Sequence, residues 1–468
     1  MEKLIKLGKI EPKHSKDIKY SKIGLGFEKL DRDAFNPEKA YDKVAACGVK
    51  LARIQSGWQK TEREKGVYSF GWLDTVVDNL LSRGVEPWLC LCYGNDLYTE
   101  AAKTVYGAVG CPPIHTEEER TAWTNYVKAT AEHFKGRIRC FEVWNEPDGD
   151  WCWKHGNNGE ELGRFTIDTA KAVREVYPEA KIIGGVVCQQ RINFLNDALS
   201  TGMADYIDYI SFHEYTHDET DEFQKVDAFR ALIKEYNSDI ELIQGESGTQ
   251  SRRGGCGANH TGAWTPELQA KQLARHTMAD LICDVHFMSY FSCVDMKEAL
   301  NGIVGDESSY KDFGYFGILG ADFDEDGNAT GEYTEKPSYY VLQNIASMFC
   351  GNIKSATHPF YIRSEASWVI YDNTPARKDL TTGVIEKDGA KAIIYWLPTN
   401  IMTTSIHTFM RCELFTGGKE VKLIDIMSGD IYKIPNEDIE DRGNGVILIK
   451  EIPVKDTPLI ITIGEFYK

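Results

Sequence analysis

The sequence has no run of about 18 apolar residues, the length a membrane-spanning helix needs, and its opening stretch MEKLIKLGKIEPKHSKDIK lacks the apolar core of a secretion signal. Both absences lead us to expect a cytoplasmic chain with no membrane partner. Basic residues are in deficit, 53 against 71 acidic, for a formal net charge of −18. Nucleic acid and acidic lipid both demand a basic footprint, so neither is expected as a partner. The 12 cysteines lack the spacing of a secreted disulfide framework and read as reduced thiols, many of them buried. Three short pairs stand apart: Cys111 with His115, Cys152 with His155, and Cys256 with His260. Their spacing matches no zinc finger, so they are either unrelated loop residues or ligands that only folding could gather. No metal and no cofactor is expected.

What is present is an ordinary globular composition, 42% hydrophobic and 26% charged, in a chain of 468 residues. That length exceeds what one core fills, so a large domain and a smaller one are expected. The segment NPEKAYDKVAACG places Asn36 as N-cap, Pro37 at the first helical position and Gly48 at the C-terminal cap, before the β-branched run VKLARI. The unit then recurs. Leu73, Val76, Val77, Leu80 and Leu81 fall at helical spacing, Gly84 closes the helix, and VEPWLCLCYG follows; Thr116 and Glu119 form a capping box for the next helix, ahead of RIRCFEVWNEP. Continuing the count gives strands at 23–27, 50–54, 86–91, 140–146, 181–187, 208–215, 241–246 and 285–291. Eight strands alternating with helices predict an α/β fold, a (β/α)8 TIM barrel over 21–351. After SYYVLQNIASMF the runs SWVIY, KAIIYWL, VKLIDIM, GVILIKEI and LIITI crowd together without helical spacing. They predict a C-terminal β-sandwich over 352–468, with 1–20 as a candidate addition.

Residues His213-Glu214-Tyr215-Thr216-His217 match H-E-x-x-H, the zinc-protease signature. That motif works only on a helix, where residues four apart share a face. Here DYISF alternates as a strand and DETDE continues no apolar face, so His213 and Tyr215 point one way and Glu214 the other. The zinc clamp is lost. The mimic of a calcium loop at Asp322–Gly327 has Tyr333 where the bidentate Glu belongs, and reads as a polar turn.

Catalytic groups of such barrels gather where strands end. The strand ends here carry Arg53, Tyr93-Gly94-Asn95, Asn145-Glu146, His213, Tyr215 and Glu246. Strands four and seven face each other across a barrel of eight, so Glu146 and Glu246 can flank a bound bond. With Asn145-Glu146-Pro147 after strand four, Glu246 after strand seven, Arg53 at strand two and His213/Tyr215 at strand six, the chain resembles glycoside hydrolase clan A. With QSGWQKTEREKGVYSFGWLD and the trailing sandwich it looks most like glycoside hydrolase family 39, the β-xylosidase and α-L-iduronidase family. One departure is SYFSC at strand eight, where many clan members place a Trp.

The resemblance implies a retaining exo-glycosidase of small glycosides, with Glu146 as acid/base and Glu246 as nucleophile. Burial and the charge of Glu246 both favour a protonated Glu146. The resemblance further implies Arg53 and Tyr215 beside Glu246, and Asn145 on the sugar's 2-hydroxyl. Arg53 has a second possible partner in Glu142 inside the barrel, and His213 either binds substrate or buttresses the rim. Asn95 is a further substrate-binding candidate at its strand end. Trp151 and Trp153 either stack on a sugar or pack a loop. Arg252 and Arg253, in the long loop after Glu246, either grip an anionic group or stay solvated. The activity expected is β-xylosidase-like, with β-galactosidase or β-glucosidase and uronidase of the same clan as alternatives. A catalytically inactive sugar-binding relative and a metal-dependent hydrolase are the other readings, and a homo-oligomer is a possible assembly.

Overall fold

The structure, a computed structural model, describes residues 3–299, 302–306, 311–363 and 380–467. Eight parallel strands close into a barrel in which every neighbour in sequence is a neighbour in space. They are Ile23–Gly26, Leu51–Gln55, Glu86–Leu91, Cys140–Val143, Lys181–Val187, Tyr209–Glu214, Glu241–Ser247 and Met288–Tyr290. All eight expected strands are present, and the fold class is the one expected. The fourth is shorter than its pattern suggests because Trp144, at φ 65°, turns the chain out of the extended region after Val143.

The punctuation works as elementary helix chemistry dictates. Asn36 accepts a hydrogen bond from the Glu38 amide, Thr116 and Glu119 close a reciprocal capping box, and Gly84 at φ 80° ends its helix. An added Cβ at Gly84 would lie 2.8 Å from the Lys16 backbone, so only glycine fits. The segment after Asn36 divides into a 3-10 turn, Pro37–Lys39, and a short helix, Tyr41–Ala46. The HEYTH stretch ends the sixth strand, and His217 packs edge-on to Trp264 instead of joining His213. Asp324 caps a turn between Leu319–Phe323 and Ala329–Glu335 by accepting from the amides of Asp326 and Asn328.

Beyond the helix Pro337–Met348 the chain forms antiparallel sheet. A seven-stranded sheet packs its apolar face, including Ile393, Tyr395, Leu423 and Ile461, against Met410, Cys412, Leu414 and Ile449 of a four-stranded one. Ile5–Lys9 pairs with Asp430–Lys433 at the edge of the larger sheet. The expected strand SWVIY lies outside the described residues. No helix among the described residues is long and apolar enough to cross a membrane.

Candidate active site

The barrel interior changes character along its axis. Trp88, Ile183, Val186 and Ile243 form an apolar floor. Above it the second strand carries Arg53, fully buried, and a buried charge must be paired to be tolerated. Arg53 is paired on every side. Its Nε and Nη2 donate to the two oxygens of Glu142 at 2.8 and 2.6 Å, Nη2 also donates to Asn145 at 2.7 Å, and Nη1 donates to Glu246. Both partners that the sequence offered for Arg53 are therefore engaged at once. Glu28, at the end of the first strand, lies 3.5 Å from the same Nη1. Burial, reinforced by the charge of Glu246, pushes the Glu28 carboxyl up to about 8 despite Arg53.

Over this layer lies a cavity of roughly 590 Å³ lined by Glu146, Glu246, Asn145, Tyr215 and Trp151, among others. Glu146 is 8% exposed and Glu246 7%. One oxygen of Glu146 is 2.8 Å from His213 Nδ1 and the other accepts from the Trp151 indole at 2.7 Å. Glu246 accepts from the Tyr215 hydroxyl at 2.7 Å, and His213 Nδ1 is 3.7 Å from the same Glu246 oxygen. Burial alone would raise Glu246, but the His213 imidazolium, Arg53 and the Tyr215 hydroxyl outweigh it and hold the carboxyl below its usual range. Burial would lower His213, and the two carboxylates instead hold it above its usual value. Asn145 is fixed at both ends, its amide nitrogen donating to Tyr93 at 2.9 Å. The loop is held against backbone preference, since Trp144 and Glu146 both have left-handed φ, 65° and 45°. Strain of that kind costs about 1–3 kcal/mol and collects where function fixes a side chain.

Arg53, Asn145, Glu146, Trp151, His213, Tyr215 and Glu246 thus come together. Asn95 does not: it is fully buried, donates to the Glu62 carbonyl and accepts from the Leu97 amide, so its amide is spent on the loop. Trp153 packs against Trp144 and Phe165 in the core. Arg252 and Arg253 are exposed and absent from the cavity wall, Arg252 lying over the Tyr315 ring. Of the Cys/His pairs, His115 and His155 meet edge to face, while Cys152 faces Tyr93 and Asn145, and Cys256 lies by Asp312. They do not form one donor set.

Among the described residues two other groups of side chains have ligand atoms within 4.8 Å of one another, Glu146/His213/Glu246 and Glu222/His276/Asp280. In the first, Arg53, Tyr215 and Trp151 already occupy the carboxylates, which leaves a poor setting for a cation. In the second, the Gln272 amide donates to His276 Nδ1, which spends that ring nitrogen, and His276 Nε2 lies 3.0 Å from Glu222.

The sequence reading missed Lys29, Arg32, Gln55, Gln190, Phe291 and Glu298, all on the cavity wall. Lys29 pairs with Glu298 at 3.0 Å, and Gln55 accepts from the Lys29 amide and the Arg32 guanidinium. The strand-end rule, applied to Glu28-Lys29 after IGLGF, would have found the first of them. Phe291 stands in the SYFSC stretch that lacks the Trp.

A (β/α)8 barrel presenting carboxylates from its fourth and seventh strand ends to one cavity has the layout of clan A glycoside hydrolases. The family model that matches this chain is that of glycosyl hydrolases family 39, over residues 28–238. A β-xylosidase of Geobacillus stearothermophilus is 27% identical over 163 residues, 32% of this chain and 31% of the relative. One of Caldicellulosiruptor saccharolyticus is 30% identical over 162 residues, 32% of each chain. The matched stretch spans about a third of those curated relatives. The structure of a family 39 β-xylosidase from Caulobacter crescentus aligns over 98% of this chain and 99% of the other with a TM-score of 0.55 at 15% identity, a likeness of fold.

Proposed function

We propose that this chain is a retaining exo-glycosidase, β-xylosidase-like, that hydrolyses small glycosides by double displacement. The observation that carries the reading is the pairing of Glu146 and Glu246 across one buried nitrogen, with ligand atoms of Glu146, His213 and Glu246 all within 4.8 Å of one another. Retaining enzymes place their carboxyl groups about 5–5.5 Å apart, whereas inverting enzymes leave about 6.5–9.5 Å for a water between them. The close spacing favours retention.

In the first step Glu246, held ionised by Arg53 and Tyr215, attacks the anomeric carbon. Glu146 gives its proton to the glycosidic oxygen as that bond breaks, and the bonding pair leaves with the oxygen. In the second step Glu146 takes a proton from water, whose oxygen displaces Glu246 from the anomeric carbon. Asn145, locked between Arg53 and Tyr93, is placed to hydrogen-bond the sugar beside the reacting centre. The cavity falls within the roughly 300–1,000 Å³ of small-ligand sites, which suits a small glycoside. A cytoplasmic location accords with twelve free cysteines, none paired in a disulfide.

Proton NMR of the first product tests the reading. The substrate's own anomeric configuration should appear before mutarotation, and a 2-fluoro glycoside should label Glu246. An inverted first product, or a label elsewhere, overturns it. A panel of nitrophenyl xylosides, galactosides, glucosides and uronides fixes the sugar, with the xyloside expected fastest.

A further inference from the structure

The two oxygens of Glu146 are not equivalent. Oε1 faces inward to His213 Nδ1, in the fully buried layer, whereas Oε2 accepts from the indole N–H of Trp151 on the cavity wall. Oε2 is thus the oxygen on the cavity side, and its donors are the Trp151 indole at 2.7 Å and, at 4.0 Å, the Cys152 thiol. The indole is fixed in place by its own loop. Gly149 packs beneath the ring so closely that an added Cβ would lie 2.6 Å from it, and the Trp151 carbonyl accepts from Lys154 at 2.8 Å. A half-buried Trp pinned in this way presents its N–H in a set direction. An indole nitrogen can only donate.

We propose that Trp151 is a positioning residue for the proton transfer, its indole N–H stabilising the carboxylate that forms on Glu146 Oε2 as the proton leaves for the glycosidic oxygen. This rests on the reading of Glu146 as acid/base and goes beyond it by assigning the loop tryptophan a role through Glu146 rather than through stacking on sugar. The sign follows from the donor. A hydrogen bond made to the ionised form makes the acid stronger, so its removal makes Glu146 a weaker acid and a stronger base. Other charged and titratable groups facing Glu146 are His213, Glu246, the Tyr215 hydroxyl and the thiols of Cys152 and Cys188, and none of these is altered by a Trp151→Phe substitution.

The test is the pH dependence of kcat/KM for wild type and Trp151→Phe on two substrates, an alkyl glycoside whose leaving group needs a proton and a dinitrophenyl glycoside whose leaving group does not. Loss of one hydrogen bond to a charged oxygen should move the alkaline limb of the alkyl glycoside up by about one pH unit. On the plateau the alkyl glycoside should slow roughly tenfold relative to the dinitrophenyl glycoside, because a weaker acid protonates less well. If Trp151 only stacks on the sugar, KM rises for both substrates alike and the limb stays where it was, which overturns the proposal. Trp151→Tyr, which keeps an aromatic ring but places its donor elsewhere, should behave as Phe does, and serves if the Phe variant fails to fold. Glu146→Ala separates this inference from the reading beneath it. If that variant abolishes the alkaline limb while Trp151→Phe leaves it in place, the role of Trp151 fails and the acid/base reading stands; a limb that survives Glu146→Ala removes both.

Discussion

The two ends of the barrel interior are built on opposite principles. At the floor, Trp88, Ile183, Val186 and Ile243 fill the cross-section with apolar side chains, held by the hydrophobic effect, with one polar tie from the Trp88 indole to Glu142 at 2.9 Å. One layer higher, charge replaces bulk: Arg53 fills the centre, Glu142 and Glu246 close on it, and Gly245 leaves room for His213, since an added Cβ would lie 2.9 Å from its Nε2. The contrast separates stability from chemistry. An aliphatic floor residue such as Ile183, Val186 or Ile243 is replaceable by anything of similar shape, whereas each member of the upper layer exists to satisfy another, so its loss leaves a buried charge unpaired.

The sharpest break is at Glu246. Glu246→Ala should lower kcat by about 10⁴-fold or more on every glycoside while leaving the fold intact, as removal of a nucleophile does. A variant with turnover within tenfold of wild type would show that the upper layer is a structural ion network and no more. Next comes Glu146→Ala, which should cost about 10²–10⁴-fold on alkyl glycosides and far less on dinitrophenyl glycosides. Equal losses on the two would remove Glu146 from the acid role. Third is Arg53→Gln, which strands Glu142 and weakens the hold on Glu246 together. Breaking a buried pair costs about 3–5 kcal/mol, so thermal unfolding and turnover should fall in the same variant. Ile243→Ala sharpens the comparison from the floor side. It should cost roughly 2–5 kcal/mol of stability through the cavity it leaves, with kcat near wild type at a temperature where the protein stays folded.

The floor and the upper layer also differ in how readily the sequence reveals them. The floor was legible as short β-forming runs: KIIGGVV and ELIQGE announce strands, while the register shift between Gly184 and Val187 that accompanies the grouping of Ile183 and Val186 in one cluster is not visible in the pattern. Glu146 and Glu246 were legible because strand ends are short addresses along the chain. Asn95 sits at such an address as well, yet its amide turns to Glu62 and Leu97, a choice made by loop backbone that strand counting does not see. Glu298 was hidden for the opposite reason. It lies well past the last barrel strand and reaches the cavity only by pairing with Lys29, a contact set by tertiary structure. Trp151 and Trp153 are two residues apart in DGDWCWKHG, and nothing in composition separates them. The turn of the loop sends one to Glu146 and the other into the core.

Among the buried charges of the upper layer the smallest effect on turnover is expected at Glu28, beside Arg53. Glu28 is buried to 1% exposure, its Oε2 has no hydrogen-bond partner, and it shares Arg53 Nη1 with Glu246. Arg53 supplies one positive charge to three carboxyls, so the fold favours a protonated Glu28, in line with a carboxyl pushed up to about 8. A raised folded value means that the native state holds a proton the unfolded chain gives up. That contribution to stability is fully present below about pH 4.5 and is lost as the pH climbs toward about 8. Glu28→Gln keeps the shape and cannot ionise. Near neutral pH its turnover should stay within a few fold of wild type, and its stability relative to wild type should rise steadily between about pH 4.5 and about 8 and then level off. Urea unfolding at a series of pH values measures the difference. A difference that is constant across that range would mean that Glu28 is ionised in the native protein, and that Arg53 holds three negative partners at once.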